Sequence, residues 1–364
     1  MTGSDRAQRA YIGSFTSAGG NGITTMAYDP KTGALTEVSR TDAVPDPSFL
    51  ALSPDAAVLY AVSEQPEGCA AAFSLHHPDA PRQVGTTVPV QGGAPTHLCV
   101  FGGYVLTANY TSGSISVLPI GANGALGESS HVLGHKGRGP HPERQEGPHV
   151  HAVVPDPSGR WIVSADLGTD TVRVYGLDMA TGVPRVHSET RLRPGTGPRH
   201  VAFHPRGHHA YVVNELRSSV TVLAWNAETG TLTPIGSAAT ISVTSSDEPN
   251  SPSEVVVSPD GRYVWVANRG HDCIAVLDLD AKGDRLELAG TTPCGGHWPR
   301  HLALDPSGRR LYVANERSGE VTWFDVDPQT GLPLLAGSIP VPAASCVVFV
   351  PPAPTLGKQV DAER

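Results

Sequence analysis

One unit recurs six times along the chain: PSFLALSPDAAVLYAVSE from Pro47, PTHLCVFGGYVLTANY from Pro95, VHAVVPDPSGRWIVSADL from Val150, PRHVAFHPRGHHAYVVNE from Pro198, PSEVVVSPDGRYVWVANR from Pro252 and PRHLALDPSGRRLYVANE from Pro299. Five of the six open with proline, and in five a second proline follows seven residues later; Gly102 replaces it in the unit from Pro95. A turn then leads into an apolar run ending in Ser, Asp or Asn. An alternating stretch such as SVTVLAW or CIAVLDL follows, and a TG-type turn leads into a fourth stretch. The apolar spacing is two, which excludes helical solenoids. Four short antiparallel strands at a period of roughly 50 residues describe a β-propeller blade.

A seventh blade is split between the ends. YIGSFT at Tyr11 matches a second strand with no first strand before it, and SCVVFV at Ser345 matches a first strand with nothing after it. Joining them closes a ring. The expected fold is therefore all-β: a single seven-bladed propeller over residues 1–364, with 10–16 and 344–351 paired in one blade and with 1–9 and 352–364 as flexible tails. The 40 glycines and 33 prolines are spread along the chain, as many turns require.

A net charge of −9 argues against nucleic acid or an anionic membrane as partner, and no stretch approaches the roughly 20 apolar residues of a membrane span. The start, MTGSDRAQRAYIG, lacks the apolar core of a secretory signal, and the five cysteines contain no CxxC. A cytoplasmic protein is expected. If so acidic a chain binds an anion, a local basic cluster must do it.

In a blade the first strand is innermost and the second runs antiparallel beside it, so the start of the first and the end of the second meet at one mouth of the channel. Counting the opening residue of each unit as position one, position two reads Ser48, Thr96, His151, Arg199, Ser253 and Arg300. Position three reads Phe49, His97, Ala152, His200, Glu254 and His301. Adjacent strand residues point oppositely, so only one of the two sets is expected to face the mouth. The recurring His97, His200 and His301 are read as braces between blades. The variable position two supplies His151, Arg199 and Arg300.

At the end of the second strand, Ser63, Asn109, Asp166, Asn214, Asn268 and Asn315 form one small polar class suited to capping a turn. The residue after each varies, and Glu215 and Arg269 arise there. His204, His208 and His209 fall at the opposite end and are expected to be solvated.

One loop breaks the period: HVLGHKGRGPHPERQEGPHVH, residues 131–151, leads into blade four and onto the same mouth. Long loops in compact domains are usually functional or disordered. Arg144 and His149 on it, with Arg300 and Glu254, are candidate substrate contacts. His149 and His151 share one side of a strand, but no third ligand matches them, so neither a metal nor another cofactor is expected.

ERQEGPHVHAVVPDP, DLGTDTVRVY, GPRHVAFHP, VNELRSSVTV, SPSEVVVSPDGRYVWVANRGHDCIAVL and PRHLALDPSGRRLYVAN together resemble the seven-bladed propeller lactonase family, nearly end to end. That family contains hydrolases that open lactones and cycloisomerases that close them. The resemblance implies a site of one histidine, two arginines and a glutamate, falling on His151, Arg199, Glu215 and Arg269, with His149 the alternative histidine. The reading is a hydrolase for a small anionic sugar or carboxylate lactone. His151 is its general base, Glu215 an orienting partner or second acid/base, and Arg199, Arg269 and Arg300 the anion clamp. A carboxylate lyase or cycloisomerase on the same site, and a propeller that only binds, are the alternatives. No G-x-S-x-G elbow is present for a covalent serine route.

Overall fold

Seven four-stranded antiparallel sheets follow one another around a ring in the computed structural model, which describes residues 8–242 and 249–351. The chain ends close the ring. The inner strand Ala344–Phe349 pairs with the second strand Arg9–Ser14, in the register Ala10↔Phe349 to Gly13↔Cys346. Arg9, placed by the sequence in a tail 1–9, instead pairs with Ala27 within that blade; the rest of that expectation, residues 1–7, and the expected tail 352–364 lie outside the described residues. No helix among the described residues is long and apolar enough to cross a membrane.

An apolar cluster fills each of the seven junctions between blades. Ala152, Val163 and Val174 of blade four meet Val201, Val212 and Trp225 of blade five. Ala10, Ile12 and Met26 of blade one meet Tyr312, Val321 and Trp323 of blade seven. The core is thus a ring of interfaces, which is why the repeat can run through closure without an exposed edge inside it.

An aromatic donor latches each junction. The second strand of every blade carries, or in blade four is immediately preceded by, a Tyr or Trp whose polar atom donates to a carbonyl in the next blade's outer turn: Tyr11 to Pro78, Tyr60 to Gly124, Tyr104 to Met179, Trp161 to Ala227, Tyr211 to Gly283, Tyr263 to Gln329 and Tyr312 to Gly33. The turns noted in the sequence are therefore acceptors as well as connections.

The small polar residues ending the second strands are caps, as expected. The Nδ2 of Asn214 donates to Ser219 and Thr221, and that of Asn109 to Ser114 and Ser116. At the other end of blade five the expectation of solvated histidines fails. His204 and His209 are buried and His208 half-buried, with ring centroids 4.9 Å (His204–His208) and 4.6 Å (His208–His209) apart. The cause is packing of this turn on blade six, where His208 Nε2 bonds Lys282 O and Arg206 Nη1 donates to Ala281 O.

The latches give a direct test. Tyr211→Phe leaves the ring in place and strands the buried Gly283 carbonyl, so chemical denaturation should show a loss of about 1–3 kcal/mol with catalysis unchanged. An unchanged midpoint would show that the hydroxyl contributes nothing at the junction.

Candidate active site

A β-bulge sets the geometry of the mouth. In blades three, four, five and seven the inner-strand register skips position two: Pro95↔Asn109 is followed by His97↔Ala108, Val150↔Asp166 by Ala152↔Ala165, Pro198↔Asn214 by His200↔Val213, and Pro299↔Asn315 by His301↔Ala314. Blade six skips two residues, Ser253 and Glu254. Two residues facing one breaks the alternation, and positions two and three both turn toward the axis. The expectation that only one set could do so is corrected.

Position three meets across the channel. Phe49 of blade two stacks on His97 at 3.9 Å and lies 5.7 Å from His301 and 6.1 Å from His200 of blade five. Glu254 Oε1 and Oε2 are each 2.9 Å from His200 Nδ1, and Oε2 is 3.4 Å from His301 Nε2. These histidines do link blades, and they also form the floor of the mouth. Glu254 belongs to that floor.

Position two lies above it and is tied to neighbouring blades. Thr96 Oγ1 donates to His151 O, Arg199 Nη1 to Ser253 O, and Ser253 Oγ to Pro299 O. Arg199 is fully buried. His151 is 5 % exposed, its ring 5.2 Å from His200 and 5.5 Å from Tyr110. No protein partner among the described residues reaches its enclosed Nδ1.

Glu215 organises the arginines. Its amide donates to Gly197 O, which fixes it just past the strand His209–Asn214. Arg144 Nη2 donates to Oε1 at 2.6 Å, while Arg269 Nη2 and Arg199 Nε lie 2.7 and 3.1 Å from Oε2. Those last two pairs are at ion-pair distance without an aligned hydrogen bond. Arg144 also reaches Tyr110 Oη, and Arg269 packs over Trp298. Three guanidiniums thus share one carboxylate. Among the described residues Glu215 bonds arginines and not His151, so the expected His–Glu pairing is not formed.

Arg300 stands apart in an acidic sector, 3.2 Å from Glu316, 3.4 Å from Glu64 and over the Phe15 ring. His149 is occupied: its ring stacks on Tyr110 at 4.6 Å, Nδ1 bonds Tyr110 O, and Nε2 lies 3.3 Å from Glu146. The loop holding Arg144 is anchored by Gln145, fully buried and donating to Leu167 O and to Asp170. Asp170 also accepts from Gly195 N, Thr196 Oγ1 and Gly197 N, so one carboxylate pins both walls of the mouth.

Burial and charge set the protonation states. Burial pushes the Glu215 carboxyl up, but Arg269, Arg199 and Arg144 outweigh it and hold it at about 2. Burial, then Arg199 and the other cations, keep His151 well below the usual imidazole range and hence neutral. His200 is lowered for the same reasons. Burial raises Glu64, offset in part by Arg300.

The family model described as Lactonase, 7-bladed beta-propeller, matches residues 9–349. The chain belongs to this lactonase family. A relative named 6-phosphogluconolactonase from Bacillus subtilis is 33% identical over 344 residues, covering 93% of this chain and 97% of its own. Another of that name, from Formosa agariphila, is 29% identical over 80% of this chain and 85% of its own. The solved periplasmic gluconolactonase of Pseudomonas aeruginosa superposes with a TM-score of 0.88 at 28% identity, covering 95% of this chain and 99% of that one. Within this lactonase, the sequence left Glu64, Tyr110, Glu316, Trp298 and Asp170 unassigned. The first three occupy the variable position after the small polar cap, which is the signal that could have found them.

Because Glu215 is held below the roughly 4.3 of an unfolded glutamate, its carboxylate adds stability above that pH and loses it as pH falls toward 2. Glu215→Gln should cost about 3 kcal/mol at pH 7, and the gap to wild type should narrow between pH 4 and 2. A gap independent of pH would show that the arginines do not depress Glu215.

Proposed function

We propose that this lactonase hydrolyses the ester of a small phosphorylated sugar lactone, of the 6-phosphogluconolactone type, at the mouth of the channel. The observation that carries this reading is the three-to-one ratio of guanidiniums to carboxylate around Glu215, two of them (Arg199 and Arg269) buried and Arg144 partly exposed at the rim, an excess of positive charge on an otherwise acidic chain. Such a cluster needs an anion, and planar guanidiniums suit phosphate. The names of the Bacillus and Formosa relatives support the same substrate class.

In this reading His151 Nε2 takes a proton from water as the water oxygen attacks the lactone carbonyl carbon. Arg199, the deepest arginine, faces the oxyanion that develops. Collapse breaks the bond from the carbonyl carbon to the ring oxygen, and His151 returns its proton to that oxygen. The product acid then ionises to solvent. Arg144, at the rim, grips the phosphate together with Arg269. Neutral His151 is ready to accept a proton, and a bound anion offsets the arginines that make its charged form costly. His149 has both nitrogens engaged, which favours His151 as the base.

Glu64 and Glu316 beside Arg300 offer acceptors to sugar hydroxyls. They would repel a substrate carrying only carboxylates, so the acidic sector favours sugar lactone over the cycloisomerase chemistry. Glu215, held ionised by three arginines, is a poor proton carrier for that chemistry as well. The cytoplasm is the compartment we infer, since all five cysteines are unbridged.

Steady-state hydrolysis of glucono-δ-lactone with and without the 6-phosphate tests the assignment. Arg144→Ala should raise KM at least about tenfold for the phosphorylated substrate and little for the other, whereas Arg199→Lys should lower kcat about 10²–10³-fold on both. Equal effects of Arg144→Ala on both substrates would remove the phosphate assignment; no hydrolysis of either by wild type would remove the function.

A further inference from the structure

The histidine floor contains a carboxylate–imidazole pair that blade architecture does not require. Glu254 is 7 % exposed, and each of its oxygens lies 2.9 Å from His200 Nδ1. Two further donors meet this carboxylate. Val255 N donates to Oε1 at 3.0 Å, and His301 Nε2 lies 3.4 Å from Oε2. His301 Nδ1 accepts from Val347 N at 3.4 Å, which leaves the proton of that ring on Nε2, directed at Glu254. With every neighbour a donor, the carboxylate accepts from His200 too. The His200 proton is then on Nδ1, and Nε2 carries a lone pair.

That Nε2 is enclosed and has no protein partner among the described residues. Beside it, with ring centroids 5.2 Å apart and planes at 63°, stands His151. The Nδ1 of His151 is likewise enclosed and without a protein partner. If His151 Nε2 is the base, its Nδ1 carries the ring proton. One enclosed donor and one enclosed acceptor, neither bonded to the other nor to any described residue, therefore occupy adjacent rings. Buried polar groups in such a state are rare and call for a reason.

We propose that Glu254 and His200 act as positioning residues behind His151: Glu254 holds His200 with its proton on Nδ1, and the bare Nε2 of His200 is the acceptor for His151 Nδ1–H as His151 takes a proton from water. The relay rests on the lactonase reading given above. It supplies negative charge, at one remove, to an imidazole that otherwise faces cations. The groups around the pair are Arg199 and Glu215 of blade five, Arg269 of blade six, Arg300 and His301 of blade seven, His97 of blade three and Cys346 of blade one. Of these, only Glu215 is a carboxylate, and the arginines neutralise it. Burial raises the Glu254 carboxyl and His301 and Arg199 offset this in part; ionised among these donors, Glu254 is the anion left to offset an imidazolium at His151. In this reading Glu254, expected from the sequence as a substrate contact, acts one residue behind the chemistry.

Two measurements separate this from a structural brace. Long-range ¹H–¹⁵N correlation on histidine-labelled wild-type protein, without substrate, should show both His200 and His151 protonated at Nδ1 and bare at Nε2. A His200 ring protonated at Nε2 overturns the relay whatever the enzyme hydrolyses. On 6-phosphoglucono-δ-lactone, Glu254→Gln should lower kcat at least about tenfold with KM within about twofold. It should also move the acid limb of the kcat profile to lower pH, because removing the anion makes His151 harder to protonate. Glu254→Asp should recover part of the loss. An unchanged kcat and acid limb, a loss confined to melting temperature, or a rise in KM alone would each overturn the proposal. If wild type hydrolyses no lactone, the function falls, and the tautomers alone decide the relay.

Discussion

The bulge at the start of the inner strands is the constraint from which the site follows. A regular strand would send positions two and three to opposite sides, and each blade could present one residue to the axis. The extra residue lets a blade present two in succession. Position two then forms a rim of His151, Arg199 and Arg300. Position three forms a floor in which Phe49, His97, His200 and His301 meet from separate blades. A propeller channel thereby becomes a pocket with a base. The small members of the rim are not idle, since Thr96 and Ser253 bond the next blade's backbone and hold the bulges in step.

Charge in this pocket is sorted by sector. Arg144, Arg199 and Arg269 crowd one carboxylate on one side, and Arg300 is outnumbered by Glu64 and Glu316 on the other. Burying Arg199 and Arg269 with one anion, and half-covering Arg144, carries a desolvation cost that an exposed cluster would not. The cost is borne by a fold whose stability is spread over seven apolar junctions and their aromatic latches. Substrate charge completes the compensation, which ties binding to the protonation of His151: the anion that fills the arginine sector also makes that ring a better base.

Much of this was legible in the sequence because a repeat exposes its own exceptions. The closure of Tyr11 with Ser345, the placing of Arg199, Glu215 and Arg269 at one mouth, and the capping role of Asn214 and Asn268 all follow from register. What register conceals is any departure from regular pleating. The bulge is such a departure, so His200 was read only as a brace between blades when it stands beside His151 at the mouth. Partners were also hidden. Glu215 was matched to a histidine by chemical type, while the folded chain brings it Arg144 from a loop 71 residues away. Asp170 looks like any turn aspartate until the Gly195–Gly197 turn and Gln145 are seen to converge on it. His204 and His209 looked exposed because burial there depends on a turn from the neighbouring blade.

The central claim is that the arginine sector and the histidine floor form a single anion-directed pocket around His151. A crystal structure with the product hydroxy acid, 6-phosphogluconate, tests it most directly. The account predicts the phosphate within hydrogen-bond distance of Arg144 and Arg269, the carboxylate beside Arg199 and His151, and the hydroxyls toward Glu64 and Glu316. A ligand bound with its phosphate at Arg300, or at the opposite end of the channel near His208, would contradict it.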